Sequence, residues 1–180
     1  MTEKPSAADS PATPTAELLA RLDAAQGRLE RHAVSPPLAG LTDPDPLTGE
    51  RWDWGQVWAH LGEFVPYWSA QVRLIVEAGG EDPVPFGRTK KDPVRVAAIE
   101  ADRRRPPAEL MARLAAHLEE LRELIRELRE EDWKRRGVHS TLGVMEMPVI
   151  FQEFLVGHLE AHVVQLDGLR GGPKGAARAS

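Results

Sequence analysis

The stretch DWGQVWAHLGEFVPYWSAQVRLIVEA, residues 53–78, places Trp54, Val57, Leu61, Phe64, Trp68, Val72 and Ile75 at steps of three and four. That spacing draws one apolar stripe along a single long helix, which Gly79-Gly80 closes. Such a helix cannot bury its stripe alone, and the flanking sequence supplies partners. Leu18, Leu22, Ala25 and Leu29 predict a helix from near Thr15, which can cap it, to the break at Ser35-Pro36-Pro37. Leu110, Leu114, Leu121, Ile125 and Leu128 predict a third helix from about Pro107 to Glu131, with charges of alternating sign on its other face. Met147, Ile150, Phe151, Phe154, Leu155, Leu166 and Leu169 predict a fourth, from about Glu146 to Leu169. Almost nothing alternates like a strand. Four amphipathic helices bury four stripes most simply as a bundle, so the expected class is all-α, a four-helix bundle.

The rest of the chain frames that core. Residues 1–14 and 171–180 are rich in Pro, Ser, Ala, Thr and Gly and carry too little apolar surface to order themselves. They are expected as tails, leaving residues 15–170 as one domain. Residues 81–106 form a long connection with a short helix expected to open at Asp92-Pro93. Long connections are commonly functional, which here means a pocket wall.

Lys and Arg number 23 against 28 Asp and Glu, giving a net charge of -5, and the signs alternate instead of clustering. That balance argues against nucleic acid or an anionic membrane as partner. The run Arg103-Arg104-Arg105 abuts Pro106-Pro107, where a helix should begin, and reads as a solvated connector. There is no cysteine, which excludes disulfides, thiolate ligands and a cysteine nucleophile. The N-terminal stretch lacks the apolar core of a signal peptide, and no run approaches the roughly 20 apolar residues that span a bilayer. A cytoplasmic protein is expected.

The chemistry-bearing residues are histidines. His158 and His162 are four apart on the apolar stripe of the fourth helix, so both imidazoles point the same way. His60 stands one turn from Val57 and Phe64 on the second helix and can lean toward them. Two readings stand. In one, these are core histidines satisfied by backbone carbonyls, Glu63 or water. In the other, a shared divalent cation takes three imidazole ligands and keeps one position open, as catalytic sites do. Imidazole suits zinc, nickel, iron or copper. His32 and His117 each stand alone. His139, in GVHSTLG, reads as a solvated loop residue or a substrate contact. Trp52, Trp54, Trp58 and Trp68 crowd one end of the second helix and read as core, or, for Trp58, as a pocket wall. No GxSxG or glycine-rich phosphate loop is present.

The motif W-x-x-x-x-V-x-x-H-L, Trp52 to Leu61, resembles the DinB-like superfamily, which includes bacillithiol transferases and the N-terminal domain of mycothiol-dependent maleylpyruvate isomerase. The late segment is similar too. His139-x-x-x-Gly143 leads into a helix ending H-x-x-x-H-x-x-Q-L, with His158, His162, Gln165 and Leu166. The resemblance implies an up-down four-helix bundle whose metal is held by His60, His158 and His162. In the isomerase branch one ligand position is a glutamate, and the isomerase has a C-terminal domain that this chain is too short to hold. An all-histidine set looks closer to the general DinB-like and transferase pattern.

The resemblance also implies a divalent transition metal (zinc, nickel or iron) and a low-molecular-weight thiol. Heavy use of Ala and Arg hints at a high-GC genome and so at mycothiol. The leading expectation is a metal-dependent thiol S-transferase acting on a small electrophile, with Trp58 and His139 as candidate substrate contacts. The alternatives are a metal-dependent small-molecule hydrolase and a non-catalytic metal-binding bundle. A homodimer is expected as well.

Overall fold

The computed structural model describes residues 14–36, 39–46, 48–80 and 83–170. The expected tails lie outside these residues, save Pro14, which stands at the N-terminus of the first helix. The helices are α1 (Thr15–Ala33), α2 (Trp54–Glu77), α3 (Pro93–Asp102), α4 (Pro107–Glu127), α5 (Met147–Phe154) and α6 (Val156–Arg170). No helix among the described residues is long and apolar enough to cross a membrane.

Local chemistry explains the boundaries. The Asp53 carboxylate accepts from the Gln56 backbone N–H at 2.8 Å, and the Gln56 amide oxygen accepts from the Asp53 N–H at 3.0 Å. This capping box starts α2. Gly79, at φ 73°, takes the left-handed conformation that ends it. The short helix α3 opens as expected, its Asp92 carboxylate accepting from the Arg95 N–H. Thr15 does not cap α1; the cap position is Pro14, which offers no side-chain hydrogen bond.

The apolar stripes read from the sequence form one core. Leu22, Leu29, Val57, Leu61, Phe64, Val72, Leu114, Ile125, Ile150, Phe151 and Leu166 are fully buried. Residue contacts fix the helix directions. Arg21 pairs with Glu160 and Arg28 with Asp167, so α1 and α6 run parallel. Arg103, just ahead of α4, pairs with Asp53 at the start of α2, and Arg73 pairs with Glu127 near the ends of both. Helices α2 and α4 are therefore parallel, and both oppose α1 and α6: His60 lies against His158, while Trp68, further along α2, stacks on the earlier Phe154. The long connection through α3 makes this possible, because it returns the chain to the starting end before α4 begins. The triple arginine run closes that turn, with Arg103 on Asp53 and Glu100 and Arg105 on Asp102 and Glu109.

Beside the Thr15 cap, and the parallel pairs α1/α6 and α2/α4 in place of the alternating up-down order that the resemblance implied, two further features depart from the sequence reading. A small sheet, in the order β1-β2-β3, joins β1 (Val84–Phe86), β2 (Arg136–His139) and β3 (Gly143–Glu146). The segment GVHSTLG is thus part of a hairpin, with β1 parallel to β2 and β3 antiparallel to it. Strands of three and four residues are too short to show an alternating pattern. The expected fourth helix is also interrupted, at Leu155 (φ -123°, ψ -90°), between α5 and α6. A Cβ on Gly157 would collide with the backbone carbonyl and side chain of Gln152, so only glycine lets the chain pass there.

This close approach yields a stability test. Alanine normally improves a helix interior by about 1 kcal/mol over glycine. Gly157→Ala is expected to do the opposite, lowering stability by about 1–3 kcal/mol because a carbonyl cannot swing aside as a side chain does. Urea unfolding of the two proteins measures the sign.

Candidate metal centre

Helices α2 and α6 bring three imidazoles to one point. The Nε2 atom of His158 lies 3.1 Å from Nε2 of His60 and 3.1 Å from Nε2 of His162. One ligand nitrogen from each of the three falls within 4.8 Å of the others. His60 and His162 are buried and His158 is half-buried.

The outer ring nitrogens settle the tautomers. His60 Nδ1 stands 3.2 Å from a Glu63 carboxylate oxygen, which can only accept, and Glu63 is itself clamped by Arg88. His162 Nδ1 stands 2.7 Å from Gln165 Oε1. With the Glu63 carboxylate and Gln165 Oε1 as acceptors, both Nδ1 atoms are assigned the hydrogen, and both Nε2 atoms present a bare lone pair. A neutral His158 brings at most one N–H to these two acceptors. Of the two 3.1 Å contacts, at most one is a well-formed hydrogen bond, and the other sets lone pair against lone pair.

Protonation is a poor remedy. Burial holds all three imidazoles below their ordinary pKa, reinforced for His60 and His158 by the neighbouring histidines; His162 is pushed down to about 4. A cation satisfies every lone pair without that cost. Nitrogens on a tetrahedral shell about 2.0–2.1 Å from zinc stand roughly 3.3 Å apart, close to the two 3.1 Å spacings that His158 makes. Neutral imidazoles with hydrogen-bonded outer nitrogens are the donor set a divalent transition metal requires.

The histidines line a cavity of about 130 Å³. Trp52 forms one wall, its ring stacked on His162 (centroids 6.0 Å apart) and edge-on to His60 (5.0 Å). It is fixed there by the loop before α2, where the Thr42 hydroxyl accepts from the Trp52 N–H at 2.9 Å and Thr42 N–H donates to the Trp52 carbonyl. The connection after α2 supplies Lys90 and Arg95, so it does form a pocket wall as expected. Lys90 pairs with Asp45 at 2.6 Å.

Neither candidate substrate contact lines the cavity. Trp58 is buried in the core against Trp54 and does not line the cavity; Trp52 holds the place assigned to it. His139 is buried among Trp68, Phe86 and Phe154, where its Nε2–H donates to the Arg88 carbonyl and its Nδ1 accepts from Thr141. It supports the residue that clamps Glu63. His32 is buried on Asp167, and His117 stands beside Glu120, both away from the cavity. The sequence held a signal for the supporting acceptors: Glu63 and Gln165 each follow a histidine by three residues, the spacing that puts both on one helix face.

The family model of the DinB superfamily matches residues 14–166. No curated protein matches the chain. Among solved structures, YfiT from Bacillus subtilis, described as a probable metal-dependent hydrolase with an unusual four-helix bundle topology, superposes with a TM-score of 0.67 at 19% identity, covering 94% of this chain and 92% of its own. The mycothiol-dependent maleylpyruvate isomerase superposes with a TM-score of 0.62 at 14% identity over 86% of this chain, which spans 61% of the isomerase. At these identities the likeness is one of fold.

The imidazole geometry predicts an acid-sensitive metal-free protein. With folded pKa values below the unfolded 6.5, the unfolded chain binds more protons, so stability is intact above about 6.5 and is lost as pH falls toward about 4. The contribution of His162 is on the order of 3 kcal/mol over that window. Urea unfolding of chelator-treated protein at pH 7 and pH 5 is expected to show the loss, and His162→Gln to make it smaller.

Proposed function

The chain belongs to the DinB superfamily, and from that premise we propose that it is a metal-dependent enzyme that joins a low-molecular-weight thiol to a small electrophile, with His60, His158 and His162 as the metal ligands. The observation that carries the reading is the proton deficit: three facing imidazole nitrogens with no more than one hydrogen among them.

A divalent cation in such a set lowers the pKa of a thiol or water beside it, making the nucleophile anionic at neutral pH. The chain's own residues prepare the site. Glu63 and Gln165 hold the His60 and His162 rings in the tautomer that turns Nε2 inward. Trp52 closes the apolar side and limits water. In the transfer the thiol gives its proton to solvent, sulfur bonds to the electrophilic carbon, and the leaving group departs with the broken bond's electrons. The chain contains no cysteine, so the sulfur must arrive with a small molecule, and mycothiol is the expected one. The fold likeness to a mycothiol-dependent enzyme supports this. The likeness to YfiT favours a second reading, in which water replaces the thiol and the reaction is hydrolysis.

Elemental analysis of protein purified without an affinity tag is expected to find near one equivalent of zinc, nickel or iron, lost in the variant His60→Ala, His158→Ala, His162→Ala. Loaded protein should then consume free thiol in the presence of an electrophile. Product carrying oxygen from labelled water, formed without thiol, would select the hydrolase instead, and a protein that takes up no metal would overturn both.

Glu63→Ala keeps all three ligands but frees the His60 ring. It is expected to weaken metal affinity by about 10- to 100-fold, read by competition with a chromogenic chelator.

A further inference from the structure

Two buried arginines among the described residues have unequal company. Arg122, 8% exposed, donates to the Asp23 carboxylate and to Gln26. Arg95, 9% exposed, forms no ion pair among the described residues; its side chain donates to the Lys90 carbonyl at 2.8 Å and lies over Trp52, 5.3 Å from the ring centroid. A guanidinium has five N–H groups in a planar fork, so one carbonyl leaves most of them unused.

Two of the nearby carboxylates are committed elsewhere, and Asp43 and Glu50, which line the same cavity, form no ion pair with Arg95. Glu63 is held by Arg88 and His60, and the Asp92 carboxylate accepts the Arg95 backbone N–H. Glu50 lies at the cavity rim without reaching ion-pair distance. A cation taken this far out of water needs a charge partner. Arg95 lines the same cavity as the three histidines and shares the Trp52 wall with two of them.

Resting on the metal-centre reading above, we propose that Arg95 binds a carboxylate of the small molecule that reacts at the histidine cluster, so that the enzyme selects carboxylate-bearing reactants. The carboxylate meets the fork in a bidentate pair, while the rest of the molecule extends along Trp52 toward Nε2 of the histidines. The carboxylate can belong to the thiol or to the molecule it attacks, and the two are separable.

The test uses zinc-loaded protein and titration calorimetry. In one arm, mercaptoacetate, 3-mercaptopropionate and 4-mercaptobutyrate are each compared with their methyl esters, which keep the thiol and lose the charge. In the other, acetate and succinate are compared with their amides on protein saturated with 2-mercaptoethanol. A preference for the carboxylate of at least about tenfold in one arm is expected, and that arm identifies the reactant that carries it. Arg95→Met should abolish the preference and Arg95→Lys should retain part of it, with zinc content unchanged in both because Arg95 is not a ligand. Equal binding of charged and neutral probes in both arms, or a preference that survives Arg95→Met, would overturn the inference while leaving the metal centre standing. Failure of the native protein to bind zinc would instead overturn the metal reading, and the acetate and succinate pairs would then decide the role of Arg95 on metal-free protein.

Discussion

Packing three imidazoles nitrogen to nitrogen beside an apolar core leaves few ways to satisfy them. Charging them is opposed by burial and by their neighbours, and sharing hydrogens fails because Glu63 and Gln165 already hold the Nδ1 protons of His60 and His162. A bare cation is the partner that such a set accepts without a proton. The fold is arranged to keep that requirement in place: the ligands come from two helices, α2 and α6, where core residues such as Leu61, Phe64, Leu159 and Val163 fix the backbone. The access comes from irregular segments, the loop carrying Thr42 and Trp52 and the connection carrying Lys90 and Arg95. Rigid elements hold the ligands, and loops shape what reaches them.

The parallel run of α2 and α4 gives that connection its role. A tight turn between consecutive helices would make them antiparallel and leave no chain to cover the site. Returning the chain from the end of α2 to its beginning requires a long crossover, and that crossover passes the histidines on its way. Arg103 and Gly55 secure its far end, Gly55 because a Cβ there would collide with the Arg103 carbonyl. The site wall is thus a consequence of helix direction, which is a property of the whole bundle.

How much of this was legible follows the range of the forces involved. The stripes of α1, α2 and α4 are local and periodic, so the sequence shows them: Leu22, Leu29, Val57, Leu61, Phe64, Leu114 and Ile125 are where their spacing puts them. The convergence of His60 on His158 and His162 was expected from helical phase and from the family resemblance, and the three do meet. Trp58 lies in the core, the first of its two readings and not the pocket wall, whereas Trp52 lies before the helix and is positioned by Thr42, ten residues away. Helix directions and the three short strands depend on contacts between distant segments, the break at Leu155 goes with the close approach of Gly157 to Gln152, and no local period encodes any of them.

The small sheet joins these scales. His139 on β2 donates to the carbonyl of Arg88, the Arg88 guanidinium stacks on Tyr67 at 3.7 Å and clamps Glu63, and Glu63 accepts from His60. A chain of contacts therefore runs from a hairpin outside the bundle to an imidazole inside it. Each link fixes an orientation that the next needs: without Arg88, a buried Glu63 carboxyl would tend to take up a proton, because burial alone pushes its pKa upward. Protonated, that carboxyl could turn donor and favour the opposite His60 tautomer, with its hydrogen on Nε2. The strands are too short to stabilise a core by themselves, and their contribution lies in holding Arg88 where it keeps Glu63 an acceptor.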